Sequence, residues 1–115
     1  MQTFTSRSAD LIPEFGIEVG RWEQYPAAGT LPFGAMWCVI PPGGSSEEDC
    51  HPERELAVVV SGGGEVEATA SGERRPAPTG TAALMDSEER HVWHNGSADE
   101  PLVLLSVYWM PDDAR

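Results

Sequence analysis

Three stretches of the chain are dominated by apolar, β-branched and aromatic residues and bounded by glycine and proline: Phe33 to Ile40, Leu56 to Val60 and Leu102 to Trp109. Each is about one strand long, and no segment of ordinary helical length carries the i, i+3, i+4, i+7 apolar stripe of an amphipathic helix. Pro41-Pro42-Gly43-Gly44 closes the first run. Ser61-Gly62-Gly63-Gly64 closes the second and leads into Glu65-Val66-Glu67-Ala68-Thr69-Ala70, which alternates polar and apolar residues with period two, so these two strands are predicted to form a β-hairpin. A further strand pair is expected around Ala82 to Met85 and His91 to Trp93, ahead of the turn signal Asn95-Gly96-Ser97. Nearer the start, Phe15 to Val19 fits an edge strand, and Arg21-Trp22-Glu23-Gln24-Tyr25 either lines the mouth of the fold or caps its base. The pattern predicts an all-β, antiparallel sandwich or small barrel with little helix.

Composition narrows the partners. A chain of 115 residues supports one hydrophobic core, so one domain over 1–115 is expected. Hydrophobic residues at 40% and charged residues at 23% are those of a folded chain rather than a disordered one. The net charge of -12 repels phosphate backbones and anionic headgroups, which argues against nucleic acid and membrane surfaces as partners. No run approaches the roughly 20 apolar residues that span a bilayer. Met1 to Arg7 lacks the charged-then-apolar pattern of a signal peptide, so the expected compartment is cytoplasmic. In that compartment the only cysteines, Cys38 and Cys50, are expected to be free thiols. The chain has no lysine and a single asparagine, which makes its rarer residues informative.

The chemistry concentrates in two segments. In the first, Gly43 is followed after five residues by Asp49-Cys50-His51, then after three by Glu55 and after six by Gly62. Alternation in an extended chain places Asp49 and His51 on one face and Cys50 on the other, and a turn at Pro52-Glu53-Arg54 lets Glu55 begin the neighbouring strand beside them. In the second, Gly80 is followed after five residues by Asp86-Ser87-Glu88, after two more by His91 and after three by Asn95. An acid directly before Leu-Ala-Val-Val-Val is costly to bury unless a cation or hydrogen bonds compensate it, which singles out Glu55. Asp49 ends the acidic run Glu47-Glu48-Asp49 and has two readings, a ligand or a solvated loop acid.

These segments resemble the two motifs of the cupin superfamily, G-x5-H-x-H-x(3,4)-E-x6-G and G-x5-P-x-G-x2-H-x3-N, at 43–62 and 80–95. Gly43, His51, Glu55, Gly62, Gly80, His91 and Asn95 match, while Asp49 stands for the first His, Asp86 for the Pro and Glu88 for the Gly. The resemblance implies an antiparallel jelly-roll β-barrel with one divalent metal inside, held by His51, Glu55 and His91 and, through its carboxylate, by Asp49. Two imidazoles and one or two carboxylates favour Fe2+ or Zn2+ and admit Mn2+ or Ni2+. The implied activity is that of a metal-dependent enzyme acting on a small molecule in the barrel, as a dioxygenase, isomerase, lyase or cyclase of bacterial specialised metabolism, with Glu55 or Asp49 as general base. The alternative is a binding module that recognises a metal or small ligand without turnover.

Around this set, Trp37 and Trp93 are candidate pocket walls, and Arg54 and Arg90 either sit in solvent or hold an anionic substrate group. His94 has the opposite strand parity to His91, which suits a surface hydrogen bond or one that supports the site. Cys50 is expected as a small buried thiol in the wall, and Asn95 as a turn-fixing hydrogen bonder. Because Leu102 to Trp109 is apolar on both faces and one small barrel buries only one of them, a homodimer is expected.

Overall fold

The computed structural model describes residues 1–111; residues 112–115 of the expected 1–115 span lie outside the described residues. The described residues form nine strands: β1 Ile12–Glu14, β2 Ile17–Arg21, β3 Gly34–Ile40, β4 Arg54–Ser61, β5 Gly64–Ala68, β6 Glu73–Ala77, β7 Ala82–Met85, β8 His91–His94 and β9 Leu102–Trp109. Short 3-10 turns at Ser6–Ser8, Trp22–Gln24 and Pro26–Thr30 are the only helical elements among the described residues. Both expectations of class, all-β and little helix, hold.

The strands form two antiparallel sheets. One has six strands in the order β1-β2-β3-β9-β4-β7, and the other has three in the order β6-β5-β8. Ile40, Val59, Leu102 and Leu104 from the large sheet and Trp93 and Ala77 from the small one meet in a single buried cluster. Side chains of alternate parity therefore fill the space between two facing sheets, as in a jelly roll. The ladders do not close into one continuous barrel. The segment before β4 makes only isolated bridges to β8, Ser45 with His94 and Asp49 with His91, and through them the small sheet is extended.

The first strand pair departs from the sequence reading. β4 and β5 are not a hairpin: β4 lies between β9 and β7, whereas β5 lies between β6 and β8. At the corner, Gly62 has φ 74°, and a Cβ there would overlap the carbonyl oxygen of Pro101. The glycine run makes a sharp change of sheet against a neighbouring backbone rather than a tight return on itself. The second expected pair also separates, with β7 on β4 and β8 on β5. A true hairpin joins β1 and β2, turning through Phe15 and Gly16, both at positive φ, the geometry of a type I′ turn. The predicted edge strand is thus the second strand of the sheet, flanked by β1 and β3.

The second motif ends on a buried lock. Asn95 is 2% exposed, and its Nδ2 donates to the carbonyls of Ile40, Pro41 and Glu100 at 3.0, 3.2 and 2.9 Å while its Oδ1 accepts from the Ser97 N–H at 3.0 Å. One side chain ties the ends of β3 and β8 to the start of β9. Asn95→Ala is expected to destabilise the fold by about 2–3 kcal/mol, because it leaves several backbone groups unpaired at a buried position. Thermal or urea unfolding checks this, and a loss under about 0.5 kcal/mol would contradict it.

Candidate metal centre

Four side chains converge between the sheets. β4 supplies Glu55 at its second residue, β8 supplies His91 at its first, and the extended segment before β4 supplies Asp49 and His51. Asp49 is held beside His91 by a reciprocal pair of backbone hydrogen bonds, N–H of each to C=O of the other at 3.0 and 3.1 Å. The bridge holds the Asp49 backbone against that of His91, so its carboxylate joins the same cluster. One donor atom from each of Asp49, His51, Glu55 and His91 lies within 4.8 Å of every other.

Separations within the set are those a shared cation requires. His51 Nε2 lies 3.0 Å from Glu55 Oε1 and 3.5 Å from Asp49 Oδ2, and His91 Nε2 lies 3.6 Å from Glu55 Oε1 and 3.9 Å from Asp49 Oδ2. Ligands at about 2.1 Å from a tetrahedral cation sit about 3.4 Å apart, which falls inside this range. The outer atoms are already committed. His51 Nδ1 donates to the Glu53 carbonyl and His91 Nδ1 to the Glu89 carbonyl, each at 2.9 Å. A carbonyl only accepts, so the proton of each neutral ring is on Nδ1 and the lone pair of each Nε2 faces the cluster. Ser106, inward on β9, donates to Glu55 Oε2 at 2.7 Å and leaves Oε1 toward the centre. Carbonyl and hydroxyl partners of this kind orient metal ligands, and the residues present fit a divalent cation.

The electrostatics also call for positive charge. Burial pushes the Glu55 carboxyl up, but the nearness of His91, the Ser106 hydrogen bond and the His51 contact outweigh it and hold the group below the ordinary carboxylate range. Burial pulls His91 down, while Glu55, the Glu89 carbonyl and the charge of Asp49 hold it above the usual imidazole value. A proton on His91 is favoured by the nearby Glu55 carboxylate, and a metal ion held by the same residues would supply that positive charge in its place.

A cavity of about 320 Å³ opens beside the cluster, lined by Phe15, Arg21, Met36, Tyr108 and Glu53 together with Asp49, His51 and Glu55. Asp49 shows 27% of its side chain to solvent, against 6% for Glu55. Trp93, on the same face of β8 as His91, lies on the inner side of the cluster. The remaining expected pocket residues lie elsewhere. Trp37 is on the opposite face of β3 from Met36 and Cys38, tilted against Trp22 with its Nε1 donating to the Tyr25 hydroxyl, so it belongs to an aromatic layer on the outside of the large sheet. Arg54 also has outward parity and pairs with Asp86 at 2.9 Å. Arg90 faces Glu48 at 3.8 Å. His94 bonds Ser45 and Glu67, each at 2.8 Å, outside the donor set. Cys50 does face away from the donor set but is exposed rather than buried in the wall, because its segment forms the rim and not the interior of a sheet.

In the segment Arg21 to Tyr25, Arg21 lines the mouth, as one of the two expected placements has it, whereas Trp22 and Tyr25 pack against Trp37 on the outside of the large sheet. Ser106 and Tyr108 were not apparent as site residues, although their parity with Leu102 and Leu104 in an otherwise apolar strand marks them as inward. Glu88 stands at φ 62°, a left-handed conformation that the glycine of the motif adopts without strain.

Two facing antiparallel sheets with histidines and carboxylates gathered between them define a jelly-roll protein with a candidate metal centre. The chain belongs to the cupin domain family, whose profile matches residues 36–108. Its structure is similar to that of a Cupin 2 conserved barrel domain protein from Salinispora arenicola CNS-205, with 30% identity, a TM-score of 0.81, and coverage of 99% of this chain and 91% of that one. It also shares its fold with a predicted oxalate decarboxylase from Thermotoga maritima, at 20% identity, a TM-score of 0.73 and coverage of 96% and 100%. A polyketide cyclase from Streptomyces resistomycificus is similar at 15% identity and a TM-score of 0.75, with coverage of 94% of this chain and 78% of that one.

Proposed function

We propose that the protein is a divalent-metal-dependent enzyme acting on a small organic molecule in the cavity, with Asp49, His51, Glu55 and His91 as the metal ligands. One observation carries the reading: both imidazoles are tied through Nδ1 to backbone carbonyls so that both Nε2 lone pairs face two carboxylates across a space of cation size. The donor set favours Fe2+ or Zn2+. Bound there, the ion supplies Lewis acidity toward a substrate oxygen, or oxygen activation if it is iron. Glu55, pinned by Ser106, keeps a fixed orientation. Asp49 and Glu55 both line the cavity, and we assign the more exposed Asp49, when released from the metal, as the carboxylate that takes a proton from substrate. No helix among the described residues is long and apolar enough to cross a membrane; a cytoplasmic enzyme of bacterial specialised metabolism, with no nucleic-acid partner, is the setting we assign.

The experiment is turnover of small carbonyl and enol compounds from neighbouring biosynthetic steps by metal-loaded protein, against the same protein stripped with chelator. Faster conversion by the loaded form is expected. Equal rates, with metal and ligand both bound, would make the protein a binding module instead.

We also propose a homodimer. On the outer face of the large sheet, register aligns Leu84, Leu56 and Val107 in one row and Ala82, Val58 and Leu105 in the next. Leu84 is 56% exposed, and no charged residue interrupts these rows. A patch of this kind is an association surface. Light scattering is expected to give the mass of two chains and, for Leu84→Arg, of one; a one-chain mass for the unaltered protein at all concentrations contradicts it.

A further inference from the structure

Tyr108 is not part of the donor set, yet its ring sits where a bound molecule would lie. It is the cross-strand partner of Glu55 on β4 and of Gly34 on β3, and it shares the inward face of β9 with Ser106. Gly34 makes room for it: a Cβ at that position would overlap the Tyr108 ring itself. The ring is therefore seated on bare backbone and forms part of the cavity wall beside Asp49, His51 and Glu55. Arg21 lines the cavity beside it, and among the described residues no side chain holds the Tyr108 hydroxyl in a hydrogen bond of normal geometry. Arg21 carries donors only, so it cannot take the hydroxyl proton, which is left for another acceptor.

Arg21 is itself committed. Its two terminal nitrogens donate to the two carboxylate oxygens of Glu14, one of them at 2.7 Å. This fork neutralises its charge and ties up its terminal nitrogens, so it is not an anion receptor for the cavity. The rest of the wall is apolar, Phe15 and Met36, or acidic, Glu53. A substrate with several negative charges is disfavoured by that lining; an apolar frame with an oxygen function suits it.

We infer that Tyr108 is the hydrogen-bond donor to an oxygen of the bound substrate, and that the substrate is a compact, mostly apolar molecule presenting a carbonyl, enolate or phenolate oxygen to the metal centre. The inference rests on the metal-site reading above. Burial, with the charge of Glu23, lifts the Tyr108 hydroxyl above its ordinary value, and Arg21 offsets this only in part, so the proton is in place at neutral pH.

The probe is 4-nitrocatechol, a planar phenol whose visible absorption reports both binding and protonation, titrated into zinc-loaded protein with zinc content measured on the same samples. Tyr108→Phe keeps the ring and removes the donor, so zinc content is expected to be unchanged while the dissociation constant for the probe rises about five- to tenfold, the usual loss for one hydrogen bond. Gly34→Ala keeps the hydroxyl but displaces the ring, and a weakening of similar size is expected. Equal affinity of Tyr108→Phe and unaltered protein, at equal zinc content, overturns the inference, including the case in which Gly34→Ala alone weakens binding and only packing is at stake. Zinc absent from the unaltered protein overturns it in a distinguishable way, by removing the metal site on which it rests.

Discussion

His91→Ala is expected to purify folded and nearly free of metal, with affinity for added Zn2+ lowered at least 100-fold. The imidazole is 4% exposed and contributes one of two aligned Nε2 donors, and without it the buried Glu55 carboxylate faces a single imidazole. Metal affinity depends steeply on the ligands themselves, since disturbing even their outer hydrogen-bond partners costs 10–100-fold. Stability of the metal-free fold should fall by only about 1–3 kcal/mol, the cost of taking a partner from a buried carboxylate. His51→Ala, at the better-exposed imidazole, should lose metal similarly and stability less. Asp49→Ala distinguishes its two readings: a loss of tenfold or more in affinity marks a ligand, and unchanged affinity marks an acid of the rim. Competition titration with a chromophoric chelator, alongside thermal unfolding, measures both quantities. Full metal occupancy in both histidine variants would contradict the assignment of the site.

Glu55→Gln carries the second large effect. The amide matches the carboxylate in shape and can keep a hydrogen bond with Ser106, so the fold changes little, but the negative charge is gone. Turnover is expected to fall at least 100-fold, with metal binding weakened. Unfolding should show a loss of about 1 kcal/mol, because the interaction between Glu55 and His91 is replaced by a neutral contact. The sign of the pH dependence follows from the two groups. Glu55 lies below its ordinary value, so its contribution to stability is present above the unfolded carboxylate range and is lost as pH falls through the folded value. His91 lies above its ordinary value, so its contribution is present below the unfolded imidazole range and is lost as pH rises through the folded value. The metal-free protein should therefore be most stable between these limits, and Glu55→Gln should flatten both flanks. A variant with unaltered pH profile and unaltered turnover would show that Glu55 carries neither charge nor chemistry at the site.

The strand content and the convergent residues were legible because they depend on local pattern. Leu102 to Trp109 has the same bounds in sequence and structure, and the spacing of His51, Glu55 and His91 locates side chains that do converge. What escaped the sequence depends on pairing between distant strands. A glycine run after Val60 is the same signal whether the chain returns on itself or moves to another sheet, and only the closeness of the Pro101 backbone at Gly62 distinguishes the two. Trp37 was misplaced because strand parity has no absolute phase until a partner is known. Once Met36 and Cys38 face inward, Trp37 must face out. Tyr108 and Ser106 were hidden in a run that reads as uniformly apolar, and their role appears only when β9 lies beside β4.

The most direct measurement is elemental analysis of the protein purified without added metal, repeated after reconstitution with Fe2+ or Zn2+ and removal of the excess. The account predicts about one equivalent of a divalent metal per chain after reconstitution, lost in His91→Ala, as four convergent donors require. Less than about a tenth of an equivalent under all of these conditions, in protein that is folded by circular dichroism, would contradict it.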